Sequence, residues 1–178
     1  MLDEFKILKS ITHKLNDNNI PYMLTGSVAM SYYSAPRMTR DIDIVIEIND
    51  IENFYRLFKD DYYIDLDTVR DSVLNRGIFN IIHSVEIIKI DFIVRKDSAY
   101  RKKEFERRKK IKFNDGYIYL VSIEDLIISK LIWYKESESE MQLKDIKNLL
   151  KENPDLKYLK EWCIKLDLTE LLEEALVD

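Results

Sequence analysis

The sequence predicts an α/β (α+β) protein: a mixed sheet with flanking helices over residues 1–98, then a basic helix, a short hairpin and a helical C-terminal region over 99–178 packed on that core. Three observations carry this. Residues 41–48, Asp-Ile-Asp-Ile-Val-Ile-Glu-Ile, alternate with period two, as a strand does. Strand-like and helix-like segments alternate up to about residue 98, and beyond it the pattern is chiefly helical. At 178 residues the chain is long enough to bury a core of its own.

The elements follow in order. Residues 2–18 read as an amphipathic helix ended by the Asn16-Asp17-Asn18-Asn19 stretch, and Tyr22–Thr25 as a short strand. Ser27–Ser34 reads as a helix after Gly26, with Pro36 preventing its extension. The 41–48 strand presents Ile42, Ile44, Ile46 and Ile48 on one face and Asp41, Asp43, Val45 and Glu47 on the other. A helix over 51–59 takes Asn49 or Asp50 as its N-cap. Strands at 78–83 and 86–94 follow, the second carrying Asp91, with Gly77 at a helix-to-strand junction. A basic helix over 99–109 leads to strands 111–113 and 117–120, joined by a turn at Asn114-Asp115-Gly116. Ser122 with Asp125 opens a helix that runs to about Tyr134, and two or three helices fill 140–177.

Composition excludes several devices. Three glycines stand where average usage of about 7% gives roughly twelve. Gly26, Gly77 and Gly116 are each alone, so a Walker A loop or a dinucleotide fingerprint is ruled out. The one cysteine, Cys163, forms no intrachain disulfide, and with His13 and His83 it makes a poor zinc site. Neither a signal-peptide pattern at Met1-Leu2-Asp3-Glu4 nor an apolar run of spanning length occurs, so the expectation is a cytoplasmic protein without a membrane partner. The net charge is −5, yet residues 101–112 hold eight Lys/Arg and two Glu. That local excess reads either as a solvated helix face or as an RNA footprint of Arg101, Lys102, Lys103, Arg107, Arg108, Lys109 and Lys110.

Asp41 and Asp43 carry the chemistry. A two-residue step on a strand puts both carboxylates on one face about 7 Å apart, where they can share a cation. Hard carboxylate oxygens suit Mg²⁺. Asp91 adds a third acid between Ile90 and Phe92, and an acid in such company needs a compensating partner. Three convergent acids suit two-metal phosphoryl or nucleotidyl transfer. Gly26-Ser27, between a strand and a helix, lets backbone amides approach a triphosphate.

With thirteen residues between Ser27 and Asp41, this arrangement resembles the nucleotidyltransferase superfamily of the DNA polymerase β type. Within it, Thr25-Gly26-Ser27-Val28-Ala29-Met30 and Pro36-Arg37-Met38-Thr39-Arg40-Asp41-Ile42-Asp43 look most like the AbiEii-type nucleotidyltransferase toxins of bacteria. Glu124-Asp125-Leu126-Ile127-Ile128-Ser129-Lys130-Leu131, followed by Lys144-Asp145-Ile146, is similar to a later part of the family pattern. The resemblance spans roughly 20–150 and implies a nucleotidyltransferase-type sheet moving NMP from an NTP such as ATP to an acceptor hydroxyl. It implies two Mg²⁺ ions on Asp41, Asp43 and Asp91, phosphate contacts from Gly26, Ser27 and Lys130, and Asp145 near the site. Arg40 is a further candidate for the phosphates. The acceptor is RNA such as tRNA, with a cognate antitoxin or toxin as partner, or a small hydroxylated molecule such as an antibiotic. A non-catalytic, antitoxin-like nucleotide-binding protein is the alternative outside enzymology.

Plainer readings compete at each position. An isolated Asp-x-Asp is the exposed face of an edge strand, Gly26 a turn, Ser27 an N-cap, Lys130 a snorkelling side chain and Asp145 a helix-surface acid. Asp41-Ile42-Asp43-Ile44-Val45 also matches the haloacid-dehalogenase-type phosphatase motif, but that motif ends a buried strand, and here the apolar residues follow the acids. The combination of Gly26-Ser27, Asp41, Asp43 and Asp91 at compatible spacing favours nucleotidyl transfer.

Overall fold

The computed structural model describes residues 2–34 and 41–177. Its frame is a seven-stranded mixed sheet. The first half supplies α1 (Leu2–Asp17), β1 (Tyr22–Leu24), α2 (Gly26–Tyr33), β2 (Asp41–Ile46), α3 (Ile51–Phe58), β3 (Tyr62–Tyr63), α4 (Leu66–Asn75), β4 (Ile78–His83) and β5 (Lys89–Val94). The second supplies α5 (Ala99–Glu106), β6 (Lys109–Phe113), β7 (Gly116–Leu120), α6 (Ile123–Ser137), α7 (Glu140–Leu150), α8 (Leu156–Leu166) and α9 (Thr169–Leu176). Strand order is β3-β4-β5-β2-β1-β7-β6. β2 runs parallel to β5 and antiparallel to β1, and β7 joins β1 in parallel at Leu24 and Leu120. Residues beyond 98 therefore add two strands to the same sheet.

The alternation read from the sequence is a burial pattern. Ile42, Ile44 and Ile46 are buried on one face of β2, which ends at Ile46 rather than at 48 with Ile48 buried just beyond it, and Ile90, Phe92 and Val94 continue that face on β5. The Phe54 ring meets Phe58, Phe79 and Phe92 at centroid distances of 4.9, 5.7 and 5.2 Å, which pins α3 to the sheet through an aromatic cluster. Asp50 caps α3 by accepting the Asn53 N–H, as expected. Cys163 is wholly buried in α8, and burial pushes its thiol up to about 11, so it behaves as a core residue.

Several boundaries differ from the sequence reading. The strand expected over 86–94 begins at Lys89, because residues 84–88 form the turn from β4. The basic helix expected to 109 ends at Glu106, and Lys109 already belongs to β6. There the half-buried Ile111 and Phe113 alternate with exposed lysines, a period-two pattern that the run of charge hides. β3 and α4 fall in a stretch for which only the junction at Gly77 was read.

The basic cluster divides. Arg107 Nε donates to Asp125 Oδ2 at 3.0 Å, its Nη2 to Glu124 Oε2 at 3.0 Å, and its guanidinium lies 3.8 Å from the Tyr158 ring centroid. Asp125 is wholly buried and also accepts from Ser122 Oγ at 2.6 Å and from Tyr158 Oη at 2.8 Å. Arg101 donates to the buried Glu104 and to Ser129 Oγ, and Arg108 to the Phe105 carbonyl. These arginines tie α5, α6 and α8 together, while Lys102, Lys103, Lys109, Lys110 and Lys112 face solvent. Arg107→Met keeps the stem but leaves the Asp125 carboxylate without its cation. The expected loss is about 2 to 3 kcal/mol of stability, measured by denaturant melting, with Asp125→Asn in the same chain recovering part of it.

Candidate active site

Register decides which side chains meet between β2 and β5. Asp41 stands opposite Lys89, and Asp43 opposite Asp91. Because a two-residue step returns to the same face and neighbouring strands lie about 4.8 Å apart, these four side chains form a square of three carboxylates and one ammonium. It occupies the face opposite Ile42, Ile44, Ile90 and Phe92. β4 extends the row, with Asn80 paired to Asp91.

The electrostatics follow from the crowding. Burial first, then the charges of Asp91 and Asp41, push the Asp43 carboxyl above the usual carboxylate range, against the pull of Lys89 and the Ser27 backbone N–H. The Lys89 ammonium lies 2.8 Å from Asp91 Oδ2 and 3.8 Å from Asp41 Oδ2. Its hydrogen bond to Asp91 holds it above the ordinary lysine range.

The Gly26-Ser27 turn is stitched onto the same strand. The Thr25 N–H donates to the Asp43 carbonyl at 3.0 Å, Ser27 Oγ donates to the Asp41 carbonyl at 3.1 Å, and the Ser27 N–H donates to the Asp43 carboxylate. Gly26 has φ +56°, and a Cβ built there would fall 2.0 Å from Asp43 Oδ2. Glycine is needed here both for the left-handed backbone and for the contact with the acid.

The other candidates are placed as follows. Lys130 Nζ donates to Asp145 Oδ2 at 2.8 Å and to Gln142 Oε1 at 3.1 Å, and both members of the ion pair are buried. The pair joins α6 to α7, and both helices pack on α2, the helix that opens at Gly26. A phosphate contact by Lys130 requires this pair to open. Arg37 and Arg40 lie outside the described residues. Lys89 and Asn80 went unread in the sequence, since only the strand register reveals that they flank the acids.

The donor set suits a hard dication. Every ligand is oxygen, among the described residues three carboxylates face one ammonium, and a dication relieves the part of the rise at Asp43 that comes from its neighbouring carboxylates. Among the described residues, however, no group of three or more His, Cys, Asp or Glu is gathered tightly enough to hold a metal ion as it stands. The ammonium of Lys89 takes up part of that space, and closing a three-carboxylate shell requires its contact with Asp91 to open.

No protein-family model matches the chain, and no curated protein matches it. Solved structures do. An antigenic nucleotidyltransferase-like protein from Paracoccidioides brasiliensis is similar over 97% of this chain and 92% of its own, at 18% identity and a TM-score of 0.56. A lincomycin-bound lincosamide antibiotic adenylyltransferase is similar over 83% of this chain and 97% of its own, at 16% identity and a TM-score of 0.55. ANT(2'')-Ia in complex with adenylyl-2''-tobramycin is similar over 87% of this chain and 92% of its own, at 12% identity and a TM-score of 0.57. Among the described residues no helix is long and apolar enough to cross a membrane. At these identities the likeness is one of architecture, and the mixed sheet that carries Asp41, Asp43 and Asp91 has the nucleotidyltransferase fold.

Proposed function

We propose that this chain transfers a nucleoside monophosphate unit from an NTP such as ATP to a hydroxyl of a small molecule, with pyrophosphate leaving. The observation that carries the reading is the placement of Asp41, Asp43 and Asp91 on one face of β2 and β5, beside the Gly26-Ser27 turn, in a nucleotidyltransferase fold. Two supports favour a small acceptor. The similar structures include a lincosamide adenylyltransferase and an enzyme carrying adenylylated tobramycin. Arg101, Arg107 and Arg108, three of the seven residues of the basic cluster, are committed to internal contacts.

In this reading Asp41 and Asp43 would hold two Mg²⁺ ions and Asp91 one of them, supplying the positive charge that stabilises the transferring group and acidifies the acceptor hydroxyl. The acceptor oxygen attacks the α-phosphorus and its proton passes to the Asp91 carboxylate. The bond from the α-phosphorus to the bridging oxygen breaks, and the electron pair leaves with pyrophosphate. Gly26 and Ser27 open α2, and its first amides would take the β- and γ-phosphates once the Ser27 N–H leaves the Asp43 carboxylate.

The five exposed lysines of 102–112 favour a second reading, in which an RNA end is the acceptor, as the resemblance to the AbiEii-type toxins implies. One experiment separates them. Labelled NTPs with Mg²⁺ are incubated with lincosamides, aminoglycosides and total RNA. Label on a small molecule with equimolar pyrophosphate supports the proposal. Label confined to RNA replaces it with the toxin-type reading, and no transfer to any acceptor, with no nucleotide bound, leaves the fold without this activity.

A further inference from the structure

Lys89 stands two residues before Asp91 on the same face of β5 and opposite Asp41 on β2. Its ammonium touches Asp91 and reaches toward Asp41, so one side chain spans the gap between the two acid-bearing strands. Among the described residues the face holds three carboxylates and this one ammonium. We propose that Lys89 is a built-in competitor for the catalytic cation, an ammonium that occupies Asp91 until a divalent ion displaces it. The inference rests on the reading of this face as a divalent-ion site.

The contacts make the competition selective. Lys89 hydrogen-bonds to Asp91, whereas Asp41 lies a full ångström farther away. An ion that needs Asp91 must therefore evict the ammonium. Eviction is sterically open, because the Lys89 side chain is 39% exposed and its four-carbon stem can swing the charge into water. Asp91, by contrast, is only 19% exposed and stays on the face to receive the incoming ion. Once displaced, the ammonium no longer neutralises Asp91, and that carboxylate becomes available as ligand and proton acceptor. The ion at Asp91 is then expected to bind more weakly than the same carboxylates would hold it without the ammonium.

Mn²⁺ binding to the nucleotide-free protein tests this, with free Mn²⁺ read by electron paramagnetic resonance for the wild type, Lys89→Met and Lys89→Arg. Lys89→Met removes the charge and keeps the stem; thermal melting checks that each variant is folded. The expected result is roughly three- to tenfold tighter Mn²⁺ binding in Lys89→Met, with Lys89→Arg retaining the wild-type affinity. Equal or weaker Mn²⁺ binding in Lys89→Met overturns the role of Lys89 while leaving the divalent-ion site standing. If neither the wild type nor Lys89→Met binds Mn²⁺ beyond an Asp43→Asn control, the divalent-ion reading fails along with it.

Discussion

Asp43→Asn is expected to abolish nucleotidyl transfer and, in the same protein, to raise the melting temperature. Asp43 sits where burial and two neighbouring carboxylates all disfavour its charge. Its carboxyl in the folded chain therefore holds a proton more tightly than in the unfolded chain. Between the unfolded value near 3.9 and the raised folded value, stability falls as pH rises, and above the folded value the whole cost is present. An amide of the same shape removes that cost. The expected gain at pH 7 is about 1 kcal/mol, or roughly 2 to 4 °C in melting temperature for a chain of this size. The gain should shrink toward zero as pH drops below the unfolded carboxylate value. Activity should fall by roughly 10³-fold or more, since a ligand between Asp41 and Asp91 is lost at the point where transition-state charge is stabilised. Mg²⁺ should stabilise the wild type and leave Asp43→Asn nearly unmoved. A variant that melts lower at pH 7 and transfers label at the wild-type rate would show Asp43 to be a structural acid.

How much of this was legible in the sequence depends on whether the information is local. Strand β2 was readable because four isoleucines at period two have no helical interpretation, and the same alternation put Asp41 and Asp43 on one side. Asp91 was readable as an acid in apolar company. Lys89 was not, since its meaning comes from lying opposite Asp41, and the β2–β5 register is a contact between residues nearly fifty positions apart. Asn80 is hidden for the same reason. Helix α4 is legible only at its end, as the helix-to-strand junction at Gly77, because it buries only Val69 and Ser72, too small a stripe for periodicity to register, and β3 has two residues. The basic run misled in another way. Charge counts do not distinguish an arginine stacked on Tyr158 over a buried Asp125 from a lysine in water. Only the internal acids Glu104, Glu124 and Asp125 decide which is which.

Gly26→Ala is the second large effect, and it separates strain from function. Alanine at φ +56° costs about 1 kcal/mol through the left-handed backbone alone. The added methyl also meets Asp43, at 2.0 Å from Oδ2 and 2.8 Å from Cγ, so the carboxylate must rotate away or α2 must shift. Either movement breaks the alignment of the Ser27 N–H with Asp43 and misplaces the central acid by about an ångström, for which roughly 10²-fold in rate is the expected cost. Stability should fall by about 1 to 3 kcal/mol, or roughly 2 to 12 °C in melting temperature. Asp43→Ala in the Gly26→Ala background removes Oδ2 and Cγ and leaves Cβ at 3.1 Å, so the steric share should be relieved and the backbone share should remain. The double variant is therefore expected to melt above Gly26→Ala and to stay inactive. If Gly26→Ala keeps full activity and stability, the close seat of the turn on Asp43 is not what positions the acid, and the phosphate-facing role of Gly26-Ser27 loses its structural basis.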